Sequence, residues 1–387
     1  MTKPIPGSYI FNALHDKNCI IMACNTRITL VTKGLMRAAK EMDSAILIEL
    51  AISESNLEGG YTGLTPKDLA ERSMAAAEEV GQDVWALHAD HIGIKKGTPE
   101  DLENIKKIVA AQIEAGFTSF AIDASHLYNH DGKDDRECLD PNIQATIELG
   151  KFIDEKYKEK HGNTDYSLEA EVGEVGKKDS SGMVITTPNE AKTFISALNE
   201  AGVNPHILAT SNGSTHGNIF DKDGNPIEQI SIDIPRTKEI AQALKDMGSQ
   251  VRIAQHGITG TPRNLIKEKF PHGDIIKGNV GTFWQNVFYD VLKEKEPELY
   301  DEIYKWVMDT YKPKMPDKRD VEIFGKNSKH ATKVFFDKIY GLSDETKKAI
   351  EDKAYEEAKI FMDAFNSKGT ASIVRKYMEE KGLGVKN

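Results

Sequence analysis

The stretch Trp85-Ala-Leu-His88-Ala-Asp90-His91-Ile-Gly93 sets two imidazoles and a carboxylate directly after a short apolar run, Val84 to Leu87. Such polar side chains are costly inside a core unless they are paired or bind a metal. The end of a parallel strand is where α/β proteins place their chemistry. With a metal on His91, Asp90 lies beside whatever the metal polarises. That pairs a Lewis acid with a candidate acid/base, as carbon chemistry next to a carbonyl requires. The same stretch also fits a strand end capped by a His–Asp hydrogen bond, and these residues alone do not decide.

Two more histidines follow strand-like runs and sit beside glycine: His216-Gly217 and His256-Gly257. His91, His216 and His256 could close on one metal, since three imidazoles with an open fourth position are typical of catalytic zinc. Glu169 and Glu171 alternate with apolar residues on one strand and so point the same way. They could hold a second metal position, move a proton or form a paired ion network. Gly257-Ile-Thr259-Gly260 and Gly278-Asn279-Val-Gly281-Thr282 are short glycine-rich turns after the last two strand candidates. Barrels commonly build phosphate cradles there. Asn25, Asp123, Ser125 and His126 stand at the ends of other strand candidates.

These groups need a scaffold that brings distant strand ends together. Apolar runs at Cys19–Cys24, Ala45–Leu50, Val84–Leu87, Thr118–Asp123, Ser167–Val172, His206–Thr210, Val251–Ala254 and Asp274–Lys277 read as eight strands. Helical patterns lie between them, over 30–42, 65–80, 98–115, 141–158, 187–200 and 235–247, with a short helix from Thr261. Thr65-Pro, Thr98-Pro and Thr187-Pro are helix starts, with Thr as N-cap and Pro in the first turn. Residues 8–18 read as a leading helix, and 127–140 and 212–232 as loops. Alternation of this kind predicts parallel βαβ units, and eight of them predict a (β/α)8 TIM barrel. An open doubly wound sheet is the other candidate; the first strand lacks the G-x-G-x-x-G of a dinucleotide site. From Thr282 onward there is no strand signal. The expected organisation is a barrel catalytic domain over 1–290 with a C-terminal helical extension over 291–387.

Composition agrees. Of 387 residues 39% are hydrophobic and 29% charged, and the formal charge is −11. That fits a globular protein with a large core and disfavours generic nucleic-acid or anionic-membrane partners. Cys19, Cys24 and Cys138 form no C-x-x-C and read as reduced thiols. No signal-like or membrane-length apolar run is present, so a cytoplasmic protein is expected.

The motifs, in chain order, resemble the class II, metal-dependent fructose-bisphosphate aldolase family over roughly 19–290. His88-Ala-Asp90-His91 is similar to its H-x-D-H, and Glu169-Ala-Glu171-Val-Gly173 to its E-x-E-(L/V)-G. Asn212-Gly-Ser-Thr-His216-Gly217 is similar to its G-N-x-H-G region, and His256-Gly257-Ile-Thr259-Gly260 to its H-G-G-S-G. Lys277-Gly-Asn279-Val-Gly281-Thr282 is similar to its K-x-N-(I/V)-D-T. The resemblance implies Zn2+ on His91, His216 and His256, with Glu171 and Asp123 as an alternative or second divalent position. It implies reversible cleavage of fructose 1,6-bisphosphate to dihydroxyacetone phosphate and glyceraldehyde 3-phosphate, through a zinc-stabilised enediolate and without a lysine Schiff base. Asp90 would shuttle the proton of the C4 hydroxyl, and Asn279 would steady the enediolate. Asn25, Gly217, Gly257, Thr259, Gly281 and Thr282 would contact substrate, with Na+ or K+ near the phosphate. A homodimer or larger homo-oligomer is implied as well.

The chain departs from the pattern in places. Ile258 replaces the second glycine of H-G-G-S-G, and Gly281 replaces the aspartate of N-(I/V)-D-T. Glu174 and Asp179 both stand where a mobile-loop proton donor is expected. The family arginine for a second phosphate has no match in the tail, where Arg319, Lys326 and Lys329 are the substitutes. The pattern also admits an aldolase for tagatose 1,6-bisphosphate or another ketose 1-phosphate, a non-catalytic barrel subunit of a partner enzyme, or a metal-dependent barrel hydrolase.

Overall fold

The structure is a computed structural model that describes residues 2–173, 178–179, 182–215, 217–221 and 226–383. Eight parallel strands close into a barrel: β1 Ile21–Asn25, β2 Ile46–Ala51, β3 Trp85–Gly93, β4 Ser119–Asp123, β5 Ser167–Glu171, β6 Ile207–Ala209, β7 Arg252–Gln255 and β8 Ile275–Val280. β1 pairs with both β2 and β8, which completes the ring. Helices α1 Gly7–Leu14, α2 Thr32–Glu41, α3 Pro66–Val80, α4 Pro99–Ala115, α5 Asp135–His161, α6 Pro188–Glu200, α7 Ile234–Asp246 and α8 Arg263–Lys269 lead into or alternate with the strands. This is a (β/α)8 TIM barrel. Among the described residues after β8 the regular elements are helices, including α9 Thr282–Lys295, α10 Pro297–Tyr311, α11 Asp320–Asn327, α12 Ala331–Val334, α13 Phe336–Tyr340, α14 Asp344–Ala364 and α15 Thr370–Glu380.

Two apolar cores follow from strand alternation, which sends successive side chains to opposite faces. The outer one fills the space between strands and helices, with Trp85, Leu87, Phe120, Phe194, Phe288 and Phe361 fully buried. The inner one fills the lower half of the barrel, where Ile21, Leu47, Ala86, Ile207, Ala254 and Ile276 meet Ile10 and Leu14 of α1 and Val374 and Met378 of α15. The chain enters this lower mouth through Ile5 N–H to Trp85 O at 2.9 Å and Gly7 N–H to Thr118 O at 3.0 Å. A Cβ at Gly7 would stand 2.1 Å from Ser167 Oγ, so the plug tolerates no side chain there.

Two strands run further than their apolar residues predict. β3 continues through His88, Asp90 and His91 to Gly93, and β8 continues through Asn279 to Val280. Each carries an irregularity in register: between Ala89 and Ile92 on β3, and at Ile276, where Ile253 pairs with Ile275 but Ala254 pairs with Lys277. A bulge inserts one residue and turns two neighbours to the same face. His91 accordingly has φ of +37°, a left-handed backbone that an imidazole rarely adopts.

The leading helix ends at Leu14, four residues before the expected 18. The 212–232 segment, expected as plain loop, contains a two-stranded turn pairing 219–220 with 226–227. The expected loop 127–140 is also corrected: α5 begins at Asp135 and carries Pro141 in its interior. Proline cannot donate to the carbonyl four residues back. The preceding loop supplies the donors instead: Asn129 Nδ2 reaches Glu137 O at 3.3 Å, and Asn129 N–H reaches Cys138 O at 2.8 Å. None of the three cysteines is in a disulfide. Among the described residues no helix is long and apolar enough to cross a membrane.

Candidate active site

Above the inner apolar core the barrel interior changes character within one layer. Glu49 of β2, His88 of β3, Glu169 of β5 and Lys277 of β8 are all essentially inaccessible to solvent. Lys277 Nζ donates to Glu169 Oε2 at 2.7 Å and to His88 Nε2 at 2.9 Å, and stands 3.5 Å from Glu49 and 3.6 Å from Asp90. Because His88 Nε2 accepts from an ammonium, His88 is neutral and its Nδ1–H donates to Ser119 Oγ at 2.6 Å. Burial, reinforced by Lys277, depresses His88 to about 3. Glu169 is held near 2 against its own burial by Lys277 and by His256, whose Nε2 lies 3.1 Å away. Lys277 is itself pushed above its ordinary value because its carboxylate neighbours outweigh its desolvation.

One layer higher lies a cleft of about 430 Å³, lined by residues from the ends of several strands. Asp90, His91 and His256 bring one ligand atom each within 4.8 Å of one another, and so do His91, Asp123 and Glu171. The His91 and His256 ring centroids are 4.7 Å apart. His91 Nδ1 is 3.3 Å from Asp123 and 3.4 Å from Glu171, and its Nε2 is 3.9 Å from Asp90. Desolvation works against a charged His91, but Asp90 and these carboxylates override it and raise its pKa well above the ordinary value. Asp90 and Asp123 are both lowered despite burial, Asp90 chiefly by His91 and Lys277, Asp123 by its hydrogen bond to His91. Glu171 is raised by burial and by Asp123.

This donor set fits a divalent ion. Five carboxylates converge on the barrel mouth against the fixed charge of Lys277, with the imidazoles of His91 and His256 beside them, and a divalent ion would balance that excess of negative charge. Asn279 Nδ2 bridges Glu49 Oε1 at 3.0 Å and Asp90 Oδ1 at 3.1 Å, which fixes the Asp90 carboxylate in orientation. Asn279 Oδ1 and Asn25 Oδ1 are buried with no hydrogen-bond partner among the described residues. Orphaned buried acceptors of this kind cost free energy until a ligand meets them.

The glycine-rich turns border the same cleft. Gly257 has φ of +68°, and a Cβ there would come within 2.6 Å of Thr215 O. Thr259 Oγ1 accepts the N–H of Phe283 at 3.2 Å, in the first turn of α9. Gly217 and Thr282 face each other: a Cβ on Gly217 would be 3.9 Å from Thr282 Oγ1. Ile258 borders the cleft but packs its Cδ1 into the outer core, against Gly278.

The structure therefore gathers Asp90, His91, Asp123, Glu171, His256 and Asn279 with Asn25, Gly217, Gly257, Thr259, Gly281 and Thr282. Glu169 sits a layer lower, bonded to Lys277. His216 and Glu174 lie outside the described residues. Asp179 belongs to a short turn, 178–179 paired with 182–183, and its side chain is not among those described. Of the tail cations only Lys329 lines the cleft; Arg319 pairs with Glu322 at 2.9 Å and Lys326 is exposed. Sequence reasoning overlooked Arg27, Ser53, Glu54 and Tyr61, which also line it. Glu54 accepts from Arg27 Nε at 2.7 Å, Tyr61 OH at 2.7 Å, Ala51 N–H at 2.8 Å and Asn25 Nδ2. Nothing local marks these residues, because the network joins the loops after two different strands.

Comparison with known proteins agrees with this geometry. The chain matches the family model described as "Fructose-bisphosphate aldolase class-II" over residues 7–370. A fructose-bisphosphate aldolase of Streptococcus pneumoniae is 25% identical over 289 residues, covering 73% of this chain and 80% of that protein. Among solved structures, a fructose-bisphosphate aldolase from Campylobacter jejuni superposes with a TM-score of 0.60 at 19% identity, covering 95% of this chain and 97% of that one. A fructuronate-tagaturonate epimerase from Cohnella laeviribosi shares the fold with a TM-score of 0.57 at 12% identity, covering 93% of this chain and 82% of that one. This chain belongs to the class-II fructose-bisphosphate aldolase family.

Proposed function

We propose that the protein is a zinc-dependent aldolase that cleaves fructose 1,6-bisphosphate reversibly to dihydroxyacetone phosphate and glyceraldehyde 3-phosphate. The observation that carries this reading is the convergence of Asp90, His91 and His256, with ligand atoms within 4.8 Å of one another, over the buried Lys277 network. His91 and His256, with His216, would hold the ion, and Glu171 with Asp123 offers a second position. A bound divalent ion supplies Lewis acidity toward a ketone oxygen. Asp90, kept ionised by His91 and Lys277, accepts the proton of the C4 hydroxyl. The C3–C4 bond then breaks, C4 leaves as the aldehyde, and the electron pair delocalises into an enediolate. Asn279 orients Asp90 and offers Nδ2 to the enediolate. Reprotonation at C3, for which Glu174 and Asp179 are the candidates, completes dihydroxyacetone phosphate. Gly217, Gly257, Thr259 and Thr282 would take its phosphate at the start of α9, where the positive end of the helix dipole favours anions, with Na+ or K+ nearby.

On this reading the protein serves glycolysis or gluconeogenesis in the cytoplasm, as a homodimer or larger assembly. Tagatose 1,6-bisphosphate, the C4 epimer, or another ketose 1-phosphate is the second reading; the tail's lack of a match to the family arginine supports it, because these ketoses differ on the aldehyde side of the bond that breaks. Relative cleavage rates on the two epimers and on ketose 1-phosphates rank them. EDTA abolishes turnover and Zn2+ or Co2+ restores it; chelator-resistant turnover trapped by borohydride would overturn the proposal in favour of a lysine Schiff base.

A further inference from the structure

The lower mouth of the barrel holds a second cleft, of about 330 Å³, between α1 and the segments that lead into β6 and β7. It reaches Ile276 of the inner core, and Asn12, Asn199, Asn204 and Gln250 form an exposed rim. The chain carries a formal charge of −11, yet no Asp or Glu lines this cleft, while Arg252, His206 and His15 do. A cleft with one sign of charge concentrates the opposite ion.

Each of these three side chains is fixed by backbone groups and keeps a polar atom without a hydrogen-bond partner among the described residues. Arg252 Nε donates to His15 O at 3.0 Å and Nη1 to Val251 O at 3.1 Å, which leaves Nη2. His206 Nδ1 accepts the N–H of Leu168 at 3.3 Å, so the neutral ring carries its hydrogen on Nε2, and that donor is unused. His15 Nδ1–H donates to Asn12 O at 2.8 Å, which leaves Nε2. Burial lowers the Arg252 pKa, and Asp274 and Asp16 do not restore it. Both acids are already engaged, Asp274 by Lys245 and Asp16 by Lys17. A half-buried guanidinium without a carboxylate is costly until an anion meets it. The adjoining cleft does hold acids, Asp154 and Glu155; it shares Asn204 and His206 with this one but not Arg252.

We infer that the lower cleft binds a phosphate-sized oxyanion, either inorganic phosphate or the phosphate end of a small metabolite, with the Arg252 guanidinium and the His206 Nε2–H as its donors. The anion ties the plug helix α1 to β6 and β7, at the end of the barrel away from the metal-ligand cluster. The site stands whatever reaction the upper mouth performs.

The test follows the ring nitrogens of 15N-labelled histidine by NMR in the zinc-loaded protein. Inorganic phosphate, and separately glycerol 3-phosphate, is added at constant ionic strength. The His206 resonance, identified by its loss in His206→Asn, should shift saturably, and the probe with the lower Kd names the source of the anion. Arg252→Met removes a charged hydrogen-bond donor and should raise that Kd about tenfold or more. Gln250→Glu sets a carboxylate on the exposed rim and should raise it about threefold or more; it decides alone should Arg252→Met fail to fold. A His206 resonance unmoved by both probes, or an unchanged Kd in either variant that folds, would overturn the inference, even where phosphate binds at the upper mouth.

Discussion

The two halves of the barrel interior obey opposite rules. The lower half is an ordinary apolar core closed by α1 and α15, in which Ile21, Leu47, Ile207 and Ile276 are fully or almost fully buried. The upper half buries Glu49, His88, Glu169 and Lys277 just as deeply and keeps them in ion pairs and hydrogen bonds. Replacing such a network with apolar groups of similar volume is often neutral or stabilising. Its retention therefore points to positioning: Lys277 and Asn279 hold Asp90, and Glu169 holds His256.

The largest effect that could break this contrast is on stability. Lys277→Met leaves Glu49, Glu169 and Asp90 facing one another and should destabilise the fold by roughly 3–5 kcal/mol, read from denaturant unfolding. An unchanged midpoint would mean that the layer is not ionised as drawn. Next, Asp90→Ala should retain metal and fold while turnover drops by about 10²-fold or more; wild-type turnover would remove Asp90 from the chemistry. In the lower half the pattern should invert. Gly7→Ala forces a Cβ against Ser167 and should cost about 1–3 kcal/mol with kcat unchanged. A fall in kcat with no shift in Tm would show that the halves are coupled.

The smallest effect concerns His206, just before β6 at the lower mouth, where burial depresses its pKa from 6.5 to about 4. The folded protein keeps it neutral while the unfolded chain takes up a proton below 6.5. Stability is therefore lost as pH falls from about 6.5 to about 4 and then levels off. His206→Asn should flatten this part of an acid-unfolding series; an identical profile would assign the acid sensitivity to other groups.

Barrel closure was readable in the sequence because every βα unit carries its own local signals: β-rich apolar runs, Thr-Pro starts and helical spacing. The strand limits were not, at the positions that matter. A polar residue after an apolar run reads as a strand end, so the sequence alone ends β3 at Leu87 and β8 at Lys277. The start of α5 was hidden by Pro141, whose remedy, Asn129, belongs to a different segment. Asp90, His91 and His256 were legible from residue type and glycine neighbours. In sequence Lys277 is only part of a motif and Glu49 only strand interior, because their partners lie across the barrel. Arg27 and Glu54 could be found only in three dimensions.

The two bulges have a consequence for how such a site tolerates change. Ile276 of β8 faces the axis, and after it the odd-numbered residues do, which is what admits both Lys277 and Asn279. Removing a single residue there would reverse the phase, deliver Lys277 to the apolar helices and turn glycine inward. β3 is arranged likewise, with Asp90 and His91 adjacent on one face. Point substitutions can tune this mouth, but a one-residue deletion in either strand would erase it while leaving every catalytic letter in the sequence.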